Sequence, residues 1–199
     1  VYTIRSMAGY MIFYFIISNT LKTKAQIKFI IKLWLALSTM AAFYAMKQEW
    51  FGLASFEDRW LRADPERFWL LFQWGRIRKW SFMADPVTFG FNMGYTGVLA
   101  FVLSRGPFSK KTNIILICSF AAMFQAMLYS GTRAAFVIFP IGMMLFVVLA
   151  KIKKLYYMSA VGAALGGILI VAPINNNTIK RFQSAFAPSD DPSYLVRIE

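Results

Sequence analysis

Arginine is the residue whose type and spacing point to chemistry in this chain, because a guanidinium fork binds phosphate or carboxylate oxygens through paired, charge-assisted hydrogen bonds. The stretch Ser130-Gly131-Thr132-Arg133 stands between two apolar runs. A Ser-Gly pair makes a tight turn and brings Arg133 to the start of the next helix, where its charge joins free backbone N–H groups in facing an anion. The plainer reading is a helix end anchored among lipid headgroups. Arg76, Arg78 and Lys79 belong to ERFWLLFQWGRIRKW, where Phe68, Trp69, Leu71, Phe72 and Trp74 stand among these cations and Arg67. That mixture suits either a membrane-surface anchor or an anion site. Arg181 and Arg197 read either as residues of a solvated outer loop or as further cations of such a site. Asp85, before Pro86, is most simply the N-cap of a helix, with acceptor binding as the alternative. Asp190 and Asp191 are adjacent acids without other ligands, a pattern of solvated turns, so no metal is assigned.

The elements that must carry these residues are membrane helices. Of the residues, 58% are apolar and 18% aromatic, and the mean hydropathy is +0.52, above what a soluble domain of this length shows. Six apolar runs approach the length needed to cross a bilayer: Met7 to Leu21, Ile27 to Met46, Val87 to Leu103, Asn113 to Tyr129, Ala134 to Ala150 and Leu155 to Ile174. The expected fold class is therefore all-α, a polytopic membrane protein with about six spans in one transmembrane domain over residues 1–199. Residues 47–85 form an outer loop, and residues 175–199 begin a further one. Asp64-Pro65-Glu66 supplies an N-cap, a proline at the first helical position and an acid in the first turn, so an amphipathic helix is expected to start there. The chain starts at Val1 and stops after a polar stretch, which suggests a piece of a longer protein; no signal-peptide pattern is visible.

Charge orders these spans. Lys22, Lys24 and Lys28, then Arg105, Lys110 and Lys111, then Lys151, Lys153 and Lys154 form three short, purely basic connections on one side of the membrane. The positive-inside rule makes that side cytoplasmic. The seven basic residues between Lys47 and Asp85 mix with six acids in a long loop, and long loops contribute little to orientation. The long loop, the Ser-Gly-Thr-Arg turn and the tail then face outward. The net charge of +13 is spread through interhelical loops, a distribution that fits topology and anionic lipid and gives no nucleic-acid partner. Lys32 lies near enough to a span end to snorkel, and no ionisable group sits deep in a span, as a proton- or ion-coupled transporter would need. Gly90 with Gly94, and Gly162 with Gly166, read as close-packing positions. Pro140 reads as a kink, and the single Cys118 as a small packing residue. Asn176-Asn177-Thr178 matches a glycosylation sequon too short to weigh. Phosphate-loop, dinucleotide-binding and zinc-spacing motifs are all lacking, and no cofactor is assigned.

Three stretches together suggest a family. RKWSFMADPVTFGF, Arg78 to Phe91, has an arginine, a short Ser/Phe stretch and an Asp-Pro pair opening a span. SGTRAAFVIFPIGMMLFVV, from Ser130, has a Ser-Gly-Thr-Arg turn followed by a helix led by small residues. RFQSAFAPSDDPSYLVRIE, from Arg181, sets arginine, serine, acids and a further arginine before the expected outer loop. In order and spacing these resemble the O-antigen ligase and O-antigen polymerase superfamily, bacterial inner-membrane enzymes that join or polymerise lipid-linked glycans. The resemblance runs from about Arg76 to the end of the chain. It departs from the family's ligases in having no histidine, so ligase and polymerase stay open.

The resemblance implies a glycosyltransferase of O-antigen or exopolysaccharide biosynthesis. Its donor is a glycan on a polyprenyl diphosphate, and its acceptor a saccharide or a lipid-linked sugar. Arg133 and Arg197 are then catalytic, stabilising charge on the departing diphosphate. Arg76, Arg78, Asp85 and Arg181 bind substrate. The alternative is a transporter or flippase of a lipid-linked glycan, which needs the same diphosphate-binding arginines but also a polar path through the bilayer.

Overall fold

Caps and glycines decide where the helices begin and end. The computed structural model describes residues 2–73, 75–150 and 183. Among them are seven helices: α1 (Tyr2–Thr20), α2 (Lys24–Trp50), α3 (Ser55–Arg62), α4 (Pro65–Leu71), α5 (Pro86–Ser104), α6 (Lys110–Ser130) and α7 (Arg133–Ala150). Two short antiparallel strands, β1 (Phe72–Gln73) and β2 (Arg76–Ile77), pair Phe72 with Ile77 and Gln73 with Arg76. The described residues fall into two compact units, divided between Leu37 and Ser38 inside α2.

The first unit holds α1 and the start of α2. Thr23 and Gln26 cap α2 reciprocally: the Gln26 N–H donates to Thr23 Oγ1 at 3.3 Å, and Gln26 Oε1 accepts the Thr23 N–H at 3.0 Å. The second unit holds the rest. The Asp85 carboxylate accepts the Val87 and Thr88 N–H groups at 2.7 and 2.9 Å and so starts α5, with Pro86 at a position where no N–H is needed. Ser109 caps α6 through the Thr112 N–H at 3.3 Å. Gly131, at φ 60°, closes α6 in the left-handed conformation that glycine adopts without strain, so that α7 begins at once.

Four of these helices are long and apolar enough to cross a membrane: α2, α5, α6 and α7. Four of the six expected spans thus stand among the described residues. The first expected span falls on α1, 19 residues long, in which Met11–Thr20 is apolar. The sixth, Leu155 to Ile174, lies outside the described residues, as do Gly162, Gly166, the sequon, Asp190 and Asp191. Large side chains stay exposed along the spans, among them Ile114, Ile115 and Ile117 on α6 and Met144, Leu145, Val148 and Leu149 on α7. Such an apolar exterior is unfavourable in water and suited to hydrocarbon.

The core of the second unit is built from small and flexible residues. Ala41, Ala42 and Ala45 of α2, Phe89 and Met93 of α5, Ala122, Met123, Ala126 and Met127 of α6, and Ala135 and Phe136 of α7 form one buried cluster. The alanines let backbones approach, while methionine fills the irregular gaps left between them. Gly90 and Gly94 serve the close packing expected of them. A Cβ on Gly94 would lie 3.5 Å from Met127 Sδ, and one on Gly90 only 2.5 Å from Ser130 Oγ.

The loop between α2 and α5 holds more than the amphipathic helix expected in it. It folds as α3, α4 and the β1–β2 hairpin around a small core of its own, Leu61, Leu71 and Trp80. Asp64 does cap α4 as expected, accepting the Glu66 N–H at 3.0 Å, but α4 ends at Leu71 and the chain turns back through Gly75 at φ 73°. The unexpected α3 carries Glu57 and Asp58 in its first turn and Arg59 and Arg62 in its last, matching the helix dipole at both ends.

Candidate functional site

The site grows from the two-residue turn between α6 and α7. The Ser130 hydroxyl donates back to Met127 O at 2.7 Å, and the Thr132 N–H donates to Ser130 Oγ at 3.2 Å. Thr132 Oγ1 donates to Pro86 O at 2.8 Å, tying the turn to the first residue of α5. Ser130 and Thr132 are buried, and Arg133 is half-buried. A Cβ on Gly90 would lie 2.7 Å from Thr132 Oγ1, so glycine is what admits the turn against α5.

Arg78 reaches this turn across 52 residues of sequence. Its Nε donates to Ser130 O at 2.9 Å and its Nη2 to Thr132 Oγ1 at 3.1 Å. The backbone runs beside it in step: the Arg78 N–H donates to Leu71 O at 2.8 Å and the Lys79 N–H to Tyr129 O at 3.1 Å. Burial holds the Arg78 guanidinium below the ordinary arginine value; Asp85 pulls the other way and the Arg133 charge adds to the fall. Burial acts to raise the Asp85 carboxyl. The Thr88 hydroxyl, the Thr88 and Val87 N–H groups and the Arg78 charge outweigh it, and the group lies below the usual carboxylate value.

A second polar cluster stands on the neighbouring residue of α6. Glu49, near the end of α2, pairs with Arg76 at 2.6 Å and with Lys79 Nζ at 3.5 Å. The Arg76 guanidinium lies 5.9 Å from the centre of the Tyr129 ring. Burial pushes the Lys79 ammonium below its ordinary value, with Glu49 opposing and Arg76 reinforcing the shift. Behind it, Gln48 accepts the Ser81 N–H at 3.0 Å and donates to Glu57 Oε1 at 2.7 Å, and the Ser81 hydroxyl donates to Ala41 O at 2.8 Å. Ser81 is held at φ 57°, a left-handed conformation that a non-glycine residue adopts at a cost of about 1 kcal/mol. Glu57 Oε2 also accepts the Ala54 N–H at 2.7 Å, which closes the start of α3. These bonds fasten the loop to α2 and so fix the approach of Arg78 to the turn.

Of the residues singled out from sequence, the structure brings together Arg78, Asp85 and Arg133, and sets Arg76 in the adjoining Glu49 cluster. Arg181 and Arg197 lie outside the described residues. Glu49, Gln48, Glu57, Ser81 and Thr132 were not expected to take part. Gln48 and Glu49 carried a readable signal, an amide and the one acid of α2 following its apolar stretch, whereas the partners of Ser81 and Thr132 are too distant in sequence to leave one. Among the described residues, no group of three or more His, Cys, Asp or Glu is placed to hold a metal ion. Chemically, the guanidinium groups of Arg78 and Arg133 come together with the Asp85 carboxylate near the starts of α5 and α7, and guanidinium groups are the donors that bind phosphate or carboxylate oxygens. Comparison with models of protein families gives no match, and comparison with curated proteins and with solved structures gives none either.

Proposed function

We propose that the chain is a membrane glycosyltransferase of the O-antigen ligase or polymerase kind, acting at the outer face of the bacterial cytoplasmic membrane on a glycan carried by a polyprenyl diphosphate. One observation carries the reading. Two of the stretches that bear the family resemblance, distant in sequence, meet where Arg78 bonds the Ser-Gly-Thr-Arg turn beside Asp85.

A lipid-linked donor keeps its prenyl chain in the bilayer and its diphosphate at the interface, where these span ends carry their arginines. In the reaction an acceptor hydroxyl oxygen bonds to the anomeric carbon, the bond from that carbon to the diphosphate breaks, and the hydroxyl proton is released. Negative charge gathers on the leaving diphosphate. Arg133 counters that charge at the start of α7, and the resemblance assigns the same task to Arg197 and substrate contacts to Arg181. A cation that binds the transition state more tightly than the ground state accelerates the step.

The test is the surface-glycan profile, on a gel, of cells carrying Arg133→Ala or Arg197→Ala, with membrane levels of each variant measured in parallel. Loss of one such stabilising group lowers turnover by about a hundredfold or more. Loss of long chains with single repeat units still attached identifies a polymerase, and loss of attachment with polymer retained on the lipid carrier identifies a ligase. Lipid-linked glycan trapped on the cytoplasmic side identifies a flippase instead. An unchanged profile in both variants refutes the site.

A further inference from the structure

One edge of the Arg78 fork is already occupied by protein. Nε and Nη2, the pair that would grip a phosphate side-on, donate instead to Ser130 O and Thr132 Oγ1. We infer that Arg78 is a positioning residue, acting on a bound anion through the Ser-Gly-Thr-Arg turn and Arg133. The inference rests on the proposed function in taking Arg133 as the group that faces the diphosphate.

Thr132 is the residue on which this control acts. It is pinned by Arg78 on one side and by Pro86 O on another, and its own N–H is tied to Ser130 Oγ. Its carbonyl accepts the Ala135 N–H at 3.1 Å and so starts α7. Gly90 lets the turn lie against α5, where a Cβ would come within 2.7 Å of Thr132 Oγ1. The Cα of Arg133 follows that of Thr132 by one peptide, about 3.8 Å, so whatever moves Thr132 moves the base of Arg133. A shift of about 1 Å in a group that must meet developing charge is enough to lower a rate by about a hundredfold.

Lysine at position 78 separates geometry from charge. It keeps the long-range field that Arg133 already senses, yet an ammonium is a point charge without the planar fork, and it cannot hold Ser130 O and Thr132 Oγ1 together in the same way.

The experiment measures binding of undecaprenyl diphosphate, without sugar, to the protein in zwitterionic nanodiscs for wild type, Arg78→Lys, Arg133→Ala and the double variant. Arg78→Lys is expected to weaken binding by about tenfold, and the double variant to bind as Arg133→Ala does, within about twofold, because residues that act as a unit are not additive. Independent losses that multiply in the double variant mean that Arg78 holds the anion itself and overturn the inference. Thr132→Val removes one of the two acceptors at nearly constant shape, together with the bond to Pro86 O, and should weaken binding at least as much as Arg78→Lys. Absence of wild-type binding would count against the proposed function, and amide exchange then decides this inference separately. Arg78→Lys must speed exchange over Leu128 to Phe136 while leaving Phe89 to Gly97 unchanged, and equal exchange at the turn overturns it.

Discussion

At the residue scale, Asp85 shows how one side chain joins local and distant structure. It caps α5 through two N–H groups and the Thr88 hydroxyl, and its charge acts on Arg78 across the loop. Removing an N-cap costs about 1 kcal/mol, so Asp85→Ala is expected to lose about that much in denaturant unfolding of the solubilised protein. Asp85→Asn keeps the cap and loses the charge. The Asp85 carboxyl lies below its ordinary value in the folded chain, so the stability it contributes is complete above the unfolded value and is lost as pH falls through the folded one. Thermal unfolding followed from neutral pH to about pH 3 should therefore show a shallower acid limb in Asp85→Asn than in wild type. Identical limbs would mean that the charge of Asp85 does not stabilise the fold.

At the scale of elements, the loop between α2 and α5 is a folded cap and not a flat surface helix. Its attachment depends on Gln48, which serves Ser81 and Glu57 at once. Gln48→Leu fills similar space but leaves a buried N–H and a buried carboxylate short of a partner, at an expected cost of about 2–3 kcal/mol. Unfolding of the variant in nanodiscs checks this, and a loss under about 0.5 kcal/mol would show that the loop is held elsewhere. The start of α4 at Asp64 could be read directly, since an N-cap followed by proline is a local signal. The end of α4 could not. FWLLFQW supports a longer helix by composition, and the hairpin exists because Gly75 and the small core of Leu61, Leu71 and Trp80 override that preference. The dipole-matched charges of α3 are a local signal of the same kind.

For the whole molecule, the positive-inside rule predicts that the purely basic connection between α5 and α6 faces the cytoplasm. In a Cys118→Ala background, Ala63→Cys should react with a membrane-impermeant maleimide on intact spheroplasts, and Pro107→Cys only after the membrane is broken. The reverse pattern would turn the protein over and remove the site from the outer face. Cys118 itself is exposed on α6, among isoleucines suited to lipid, and in the native protein should resist the reagent on both sides until detergent unfolds the chain.

The spans of α2, α5, α6 and α7, the cap at Asp85 and the turn at Gly131 were determined by the sequence itself. Each depends on hydropathy, a capping side chain or a glycine acting within a few residues. Which arginine does what was decided only by tertiary structure. Arg76, Arg78 and Arg133 look alike along the chain, and what separates them is a partner 27 residues away for Arg76, at Glu49, and 52 and 54 away for Arg78, at Ser130 and Thr132. Hydrogen bonds of that separation leave no periodicity to read. They form because small residues at Gly90 and along the alanine face of α2 let backbones approach until the buried donors and acceptors must satisfy one another.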